Sequence, residues 1–274
     1  MTRAPFVTLF LSSLVAIPLL GQDTQIKKLD PFVPDNVVQA PEQLRRVPPP
    51  PENLSVEELE MRADELRGQK NYADSLDYYH AAMMKKDSAA LQNKAGIAEL
   101  QMLRYEEAKK SFERAIKLDK KYADAHNNLG VIYYVKRNYG KAAKSYSKAI
   151  QLRDDSASYH SNLGTAHFAR KDYEKAAREY TRAMDIDREV FDRHSSIGVT
   201  AQLGSPADRA HYNYVIARTF ASHGDTEHCL LYLRKAMEDG FPGINNVYKE
   251  AEFAPVRKDP RFVALMESKP LAIH

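Results

Sequence analysis

The chain is predicted to be an all-α solenoid, about five stacked helical hairpins closed by a C-terminal helical cap. Three observations carry that prediction. Tyrosines recur at a nearly fixed stride, at Tyr72, Tyr105, Tyr139 and Tyr173, which lie 33, 34 and 34 residues apart. After each, a small residue follows three positions on, an aromatic seven on and an alanine ten on, as in YGKAAKSYSKAI. Upstream of the last three lie helical stretches with an internal glycine, QNKAGIAEL, NNLGVIYY and SNLGTAHF. Such a period marks a supersecondary unit that cannot bury its own apolar face and must stack on copies of itself.

Residues 1–21 read as a signal peptide. Arg3 supplies a basic start, no charge follows until Asp23, and FVTLFLSSLVAIPLLG ends on a small residue at Gly21. Ser12, Ser13 and Pro18 make this run a poor permanent membrane span, which needs about 20 strongly apolar residues. Cleavage is expected near Gly21–Gln22, with an uncleaved membrane anchor as the alternative. No cysteine lies near the site, so no thiol is available there for acylation. Residues 22–55 contain PFVPDN and VPPPPEN. Proline fixes φ and removes a donor, so this stretch is expected to be an extended linker.

Four units then follow, at 56–88, 89–122, 123–156 and 157–190. Gly130 and Gly164 fall on first helices, Ala142 and Ala176 on second helices. At those points the two helices of a hairpin are expected to approach closely, with Tyr133, Tyr146, Phe168 and Tyr180 filling the space on either side. Glycine in a helix costs about 1 kcal/mol relative to alanine. Burying an aromatic side chain contributes about 1.5–3 kcal/mol, so close packing wins. Residues 191–209 are expected to be a spacer loop that interrupts the array, although Ser205-Pro206-Ala207-Asp208 has the composition of a helix start. A fifth unit is placed at 210–243, with Gly224-Asp225 at its turn and Cys229 at its small position. Residues 244–274 form the expected cap, covering the apolar side that a terminal unit exposes.

These residues resemble the tetratricopeptide repeat family, whose pattern of packing residues is carried closely by 123–156 and 157–190. Unit 89–122 departs at Glu99, which stands where the family has an aromatic. The first helix of 56–88 has Ala63 where glycine is usual. The resemblance covers about 56–240 and implies a right-handed superhelix whose first helices line a concave groove. Carried over by position, it makes Asn93, Lys94, Asn127, Asn128, Val131, Tyr134, Ser161, Asn162, Thr165 and Arg170 the candidate peptide- or partner-binding residues. Asparagine recurs at the sixth station, in Asn128 and Asn162, similar to the asparagine ladder of sugar-transferring members. An amide offers both donors and an acceptor, so such a ladder could grip an extended backbone. The Lys, Arg and Asn clamp with which other members seize a terminal carboxylate is not matched, since Asn93 and Ser158 stand at its basic positions.

Forty basic residues face 37 acidic ones, a net charge of +3, and the signs are interleaved. That excludes the clustered basicity of a nucleic-acid binder. There is no phosphate-binding glycine loop, no GxSxG and no HExxH. His160 occupies a packing position, and Cys229, the single cysteine, is read as a buried small residue. No catalytic residue, metal or cofactor is assigned. The expectation is a non-enzymatic scaffold, exported to the periplasm or beyond, which binds a protein or peptide partner in its groove. A membrane association would come only through an uncleaved signal. The alternative is a metal-dependent or hydrolytic enzyme that uses the 191–211 spacer, with His194 and His211 bracketing it.

Overall fold

Residues 47–191 and 205–268 are described in the structure, a computed structural model. The expected signal peptide, most of the linker, and residues 192–204 and 269–274 lie outside the described residues.

The glycines set the spacing within each hairpin. A Cβ added at Gly130 would lie 2.6 Å from the Tyr146 ring, one at Gly164 2.7 Å from Tyr180, and one at Gly96 2.6 Å from Phe112. Only a residue without a side chain lets these rings sit flat against the facing helix. Tyr146, Tyr180 and Phe112 are accordingly almost wholly buried, as are Ala142, Ala149, Ala176 and Ala183. Tyr133 is the exception to the expected filling. It stays half-buried, with the Lys141 ammonium over its ring.

The described residues are all-helical, with no strand among them, and consecutive helices pair as hairpins. The pairs are α1 (Val56–Gly68) with α2 (Tyr72–Lys85), α3 (Ala89–Gln101) with α4 (Tyr105–Leu118), α5 (Ala123–Val135) with α6 (Tyr139–Leu152) and α7 (Ala157–Ala169) with α8 (Tyr173–Ile186). A fifth pair is α9 (Pro206–Ser222) with α10 (Thr226–Glu238). Each second helix packs on the next first helix, which makes the stack an α-solenoid. Ser55 caps α1 with a full capping box: its hydroxyl accepts from the Glu58 N–H, and its own N–H donates to the Glu58 carboxylate.

One backbone device closes all five hairpins. Lys70, Leu103, Arg137, Lys171 and Gly224 all have left-handed φ, between 58° and 71°. The residue after each donates its N–H back over the turn, as in Asn71 to the Leu66 carbonyl at 2.8 Å and Asn138 to Tyr133 at 2.8 Å. This is a Schellman closure, which usually takes glycine. Only the fifth turn has one.

Two boundaries differ from expectation. The last residues of the linker are packed: Val47 and Leu54 rest on the α1–α2 core, the Tyr78 hydroxyl donates to the Pro48 carbonyl at 3.3 Å, and Lys85 Nζ donates to the Glu52 carbonyl at 2.7 Å. At the other boundary, α9 starts at Pro206, so the final residues of the expected 191–209 loop are helical. Ser205 is the cap, accepting from the Asp208 N–H at 3.1 Å, and proline at the first position loses no bond there.

Two short 3-10 helices, Ile244–Tyr248 and Ala251–Phe253, precede α11 (Pro260–Ser268). Val247, Phe253, Val256, Phe262, Leu265 and Met266 from this stretch join one apolar cluster with α8, α9 and α10.

Candidate partner-binding site

The first helices α1, α3, α5 and α7 meet their neighbours through a row of side-chain bonds. Lys94 on α3 reaches back to Glu60 at 2.6 Å and Asp64 at 2.5 Å on α1. Asn128 on α5 donates to Asn93 on α3 at 2.9 Å. Asn162 on α7 donates to Asn127 on α5 at 3.0 Å, and Asn127 donates to Asn128 at 3.1 Å. The sixth station of one unit thus faces the fifth of the unit before. An amide relay runs from Asn162 through Asn127 and Asn128 to Asn93.

This corrects the reading of the asparagines as a peptide-gripping ladder. Asn93, Asn127, Asn128 and Asn162 are all buried. Adjacent first helices approach so closely that each of these amides makes one bond across the junction. A buried amide without such a partner would cost about 1–3 kcal/mol, so pairing is what makes polar residues tolerable there.

The remaining predicted residues divide. Val131, Tyr134 and Thr165 are buried. Tyr134 packs on Tyr139 with ring centroids 5.2 Å apart, and the Thr165 hydroxyl donates to the Ser161 carbonyl at 2.9 Å. Lys94 and Ser161 are half-buried and Arg170 is exposed, with its guanidinium 3.6 Å from Asp172. On the first helices Met61 is 67% exposed, and Ser158 and Ser161 are half-buried.

At the 191–211 spacer, His194 lies outside the described residues. The His211 ring stacks on Tyr173 at 4.8 Å, and its Nδ1 bonds the Ala207 carbonyl at 2.9 Å. Among the described residues no group of three or more His, Cys, Asp or Glu could hold a metal ion. His160 Nδ1 pairs with Glu179 at 2.8 Å, and its Nε2 lies 3.4 Å from the Asp154 carbonyl. The ring joins α7 to α8. Cys229 is buried, and burial pushes its thiol up to about 12, far from the thiolate that redox chemistry needs. No described helix is long and apolar enough to cross a membrane.

Sequence reasoning missed a polar group at the far end of the face. Arg218 on α9 is 7% exposed and forms a two-pronged pair with Glu174, both distances 3.0 Å. An arginine inside the apolar run YVIARTF was the available signal.

Comparison with known proteins agrees with this architecture. Residues 93–157 and 157–190 match family models described as tetratricopeptide repeat. No curated relative matches. Among solved structures, PilF of Pseudomonas aeruginosa is similar at 16% identity and a TM-score of 0.50, covering 73% of this chain and 79% of that one. YrrB, a TPR protein with an unusual peptide-binding site, is similar at 17% identity and a TM-score of 0.46, over 72% of this chain and 93% of that one. MamA from Desulfovibrio magneticus RS-1 is similar at 17% identity and a TM-score of 0.48, over 67% and 93%. At such identities the likeness concerns the fold. The glycine–aromatic packing, the hairpin stack and the matched models lead to one conclusion: residues 93–190 of this chain are tetratricopeptide repeats.

Proposed function

We propose that the protein is a non-enzymatic scaffold, exported to the cell envelope, that holds an extended segment of a partner protein along the rim of its first helices. One observation carries the reading. The first helices are locked side by side by the bonds that Lys94 donates to Glu60, Asn128 to Asn93 and Asn162 to Asn127. That row turns four separate helices into one preorganised face, and preorganisation lowers the ordering cost of capturing a flexible segment. The matched repeats and the basic, then apolar, N-terminal sequence support the two halves of the proposal, scaffold and export.

Photo-crosslinking residues placed at Met61, Ser158 and Ser161 test it. They are expected to join to one common partner in an envelope fraction, while the same probe at Lys117 and Lys144 on second helices is expected to give none. Equal crosslinking from both faces would remove the first helices from the role. N-terminal sequencing of the mature protein is expected to begin near Gln22, and an intact Met1 would contradict cleavage.

A further inference from the structure

Where α8, α9 and the C-terminal cap meet, a recess of about 190 Å³ opens on the first-helix side of the fifth unit. Its walls are rings. His211 stacks on Tyr173 with centroids 4.8 Å apart and meets Phe241 edge-on at 5.0 Å. Phe241 in turn stacks on Tyr214 at 4.2 Å. Glu250 and Asn246 come from the cap side, and Arg218 with Glu174 borders the recess.

The charges around it do not cancel. The Arg218 guanidinium is taken by Glu174 at 3.0 Å, stands 3.5 Å from Glu250 and only reaches 4.0 Å from Glu252. Of these carboxylates Glu174 and Glu250 line the recess against the one guanidinium of Arg218, and the nearby Arg257 bonds the Glu250 backbone carbonyl, so the Glu250 carboxylate is only loosely engaged. Tyr214 is 5% exposed, and its hydroxyl oxygen is buried without a well-formed hydrogen bond. Burial, and then the Glu250 carboxylate beside it, hold that phenol far above its ordinary ionisation range. It stays a neutral hydroxyl with an unused acceptor.

An aromatic-walled recess with surplus negative charge and an idle acceptor favours a cation on an alkyl stem. An acidic group would be repelled. A purely apolar group would face the Glu250 carboxylate and the Tyr214 acceptor without engaging either. Ligands of nucleotide size ordinarily take pockets of about 300 Å³ or more, so the volume suits one side chain.

We propose that this recess receives a lysine or arginine side chain of the partner segment, its cationic head between Glu250 and the Tyr214 hydroxyl and its methylenes against Tyr214, His211 and Phe241. The proposal rests on the scaffold reading above and adds the residue class read at one end of the face. It predicts a partner segment with a basic residue near one terminus of the bound stretch.

The test uses isotope-labelled mature protein and no partner, so its failure is separable from failure of the crosslinking experiment. Blocked pentapeptides with a central lysine, arginine, norleucine or glutamate between alanines are titrated alongside butylammonium chloride, and resonances of His211, Tyr214 and Phe241 are followed. The lysine and arginine peptides are expected to shift them saturably, the norleucine and glutamate peptides not at all. Glu250→Gln is expected to weaken the lysine peptide about fivefold, with Glu113→Gln unchanged. Norleucine matching lysine, or Glu250→Gln binding like the native protein, would overturn the cation assignment. A lysine peptide no tighter than butylammonium would overturn the assignment to a partner's side chain.

Discussion

Glu99, Tyr133, His167 and Phe220 stand at the same station of four successive first helices. Their environments differ. Phe220 is 1% exposed and belongs to the C-terminal core. Glu99 is buried and accepts from the Ser111 hydroxyl at 2.7 Å, and burial raises its carboxyl above the ordinary value. His167 leaves a cleft at the α6–α7 junction, where Lys141, Lys144, Lys148 and Arg170 gather. Its Nδ1 is buried with no hydrogen bond, 3.6 Å from Asp172. Burial lowers the imidazole pKa, overriding the upward pull of Asp172 and Glu179, while Lys175 adds to the lowering. The folded state therefore resists protonation there. The cost is absent well above the unfolded value of about 6.5 and develops as the pH falls through it, because the unfolded chain takes up the proton first. Urea midpoints are expected to fall between pH 7.5 and pH 5, and His167→Phe is expected to flatten that profile. An unchanged pH dependence in the variant would remove His167 as its source.

Between elements, the amide relay makes a sharper claim. Replacing Asn128 alone by leucine strands the carbonyl oxygen of Asn93 and an N–H of Asn127 in a buried setting, at an expected cost of about 2–3 kcal/mol. Replacing Asn93 and Asn128 together removes both sides of the rung and is expected to cost less than the two single changes added. Chemical denaturation of the four proteins measures the coupling, and strict additivity would deny the bond any role. The same asparagines show what could be read from sequence. The hairpins were legible because a glycine facing a ring leaves two fixed marks per unit. The recurrence of asparagine was legible too. Its direction was not, because an amide serves a ligand or a neighbouring helix equally well, and the choice depends on the approach of α3, α5 and α7. The recess at the fifth unit was hidden for another reason: Phe241 and Glu250 belong to an aperiodic tail, which a repeat register cannot place. The left-handed turns escaped because Lys70, Leu103, Arg137 and Lys171 are not the glycines that announce such a backbone.

Over the described stack as a whole, each unit leans only on its neighbours, so damage is expected to stay local. Removing residues 244–274 would uncover the core that Val247, Phe253, Val256, Phe262, Leu265 and Met266 help to form. Several buried apolar side chains at about 1.5–3 kcal/mol each amount to more than a single terminal hairpin can lose. Hydrogen exchange is expected to show α9 and α10 opening while α3 to α6 keep their protection, and uniform loss across all helices would refute this local behaviour.

The junctions also differ from one another in their chemistry. An ammonium meets carboxylates at the first, carboxamides meet at the second and third, and the corresponding stations of the fourth hold Ser161 and Val215. The first seam therefore differs in chemistry from the second and third, which share theirs. Were the second and third modules transposed, Lys94 would be carried away from its acids and brought against an uncharged partner. The place of the Lys94 module is thus written into its edge, and an array that moved it would be mismatched at that seam even though every hairpin in it remained well packed.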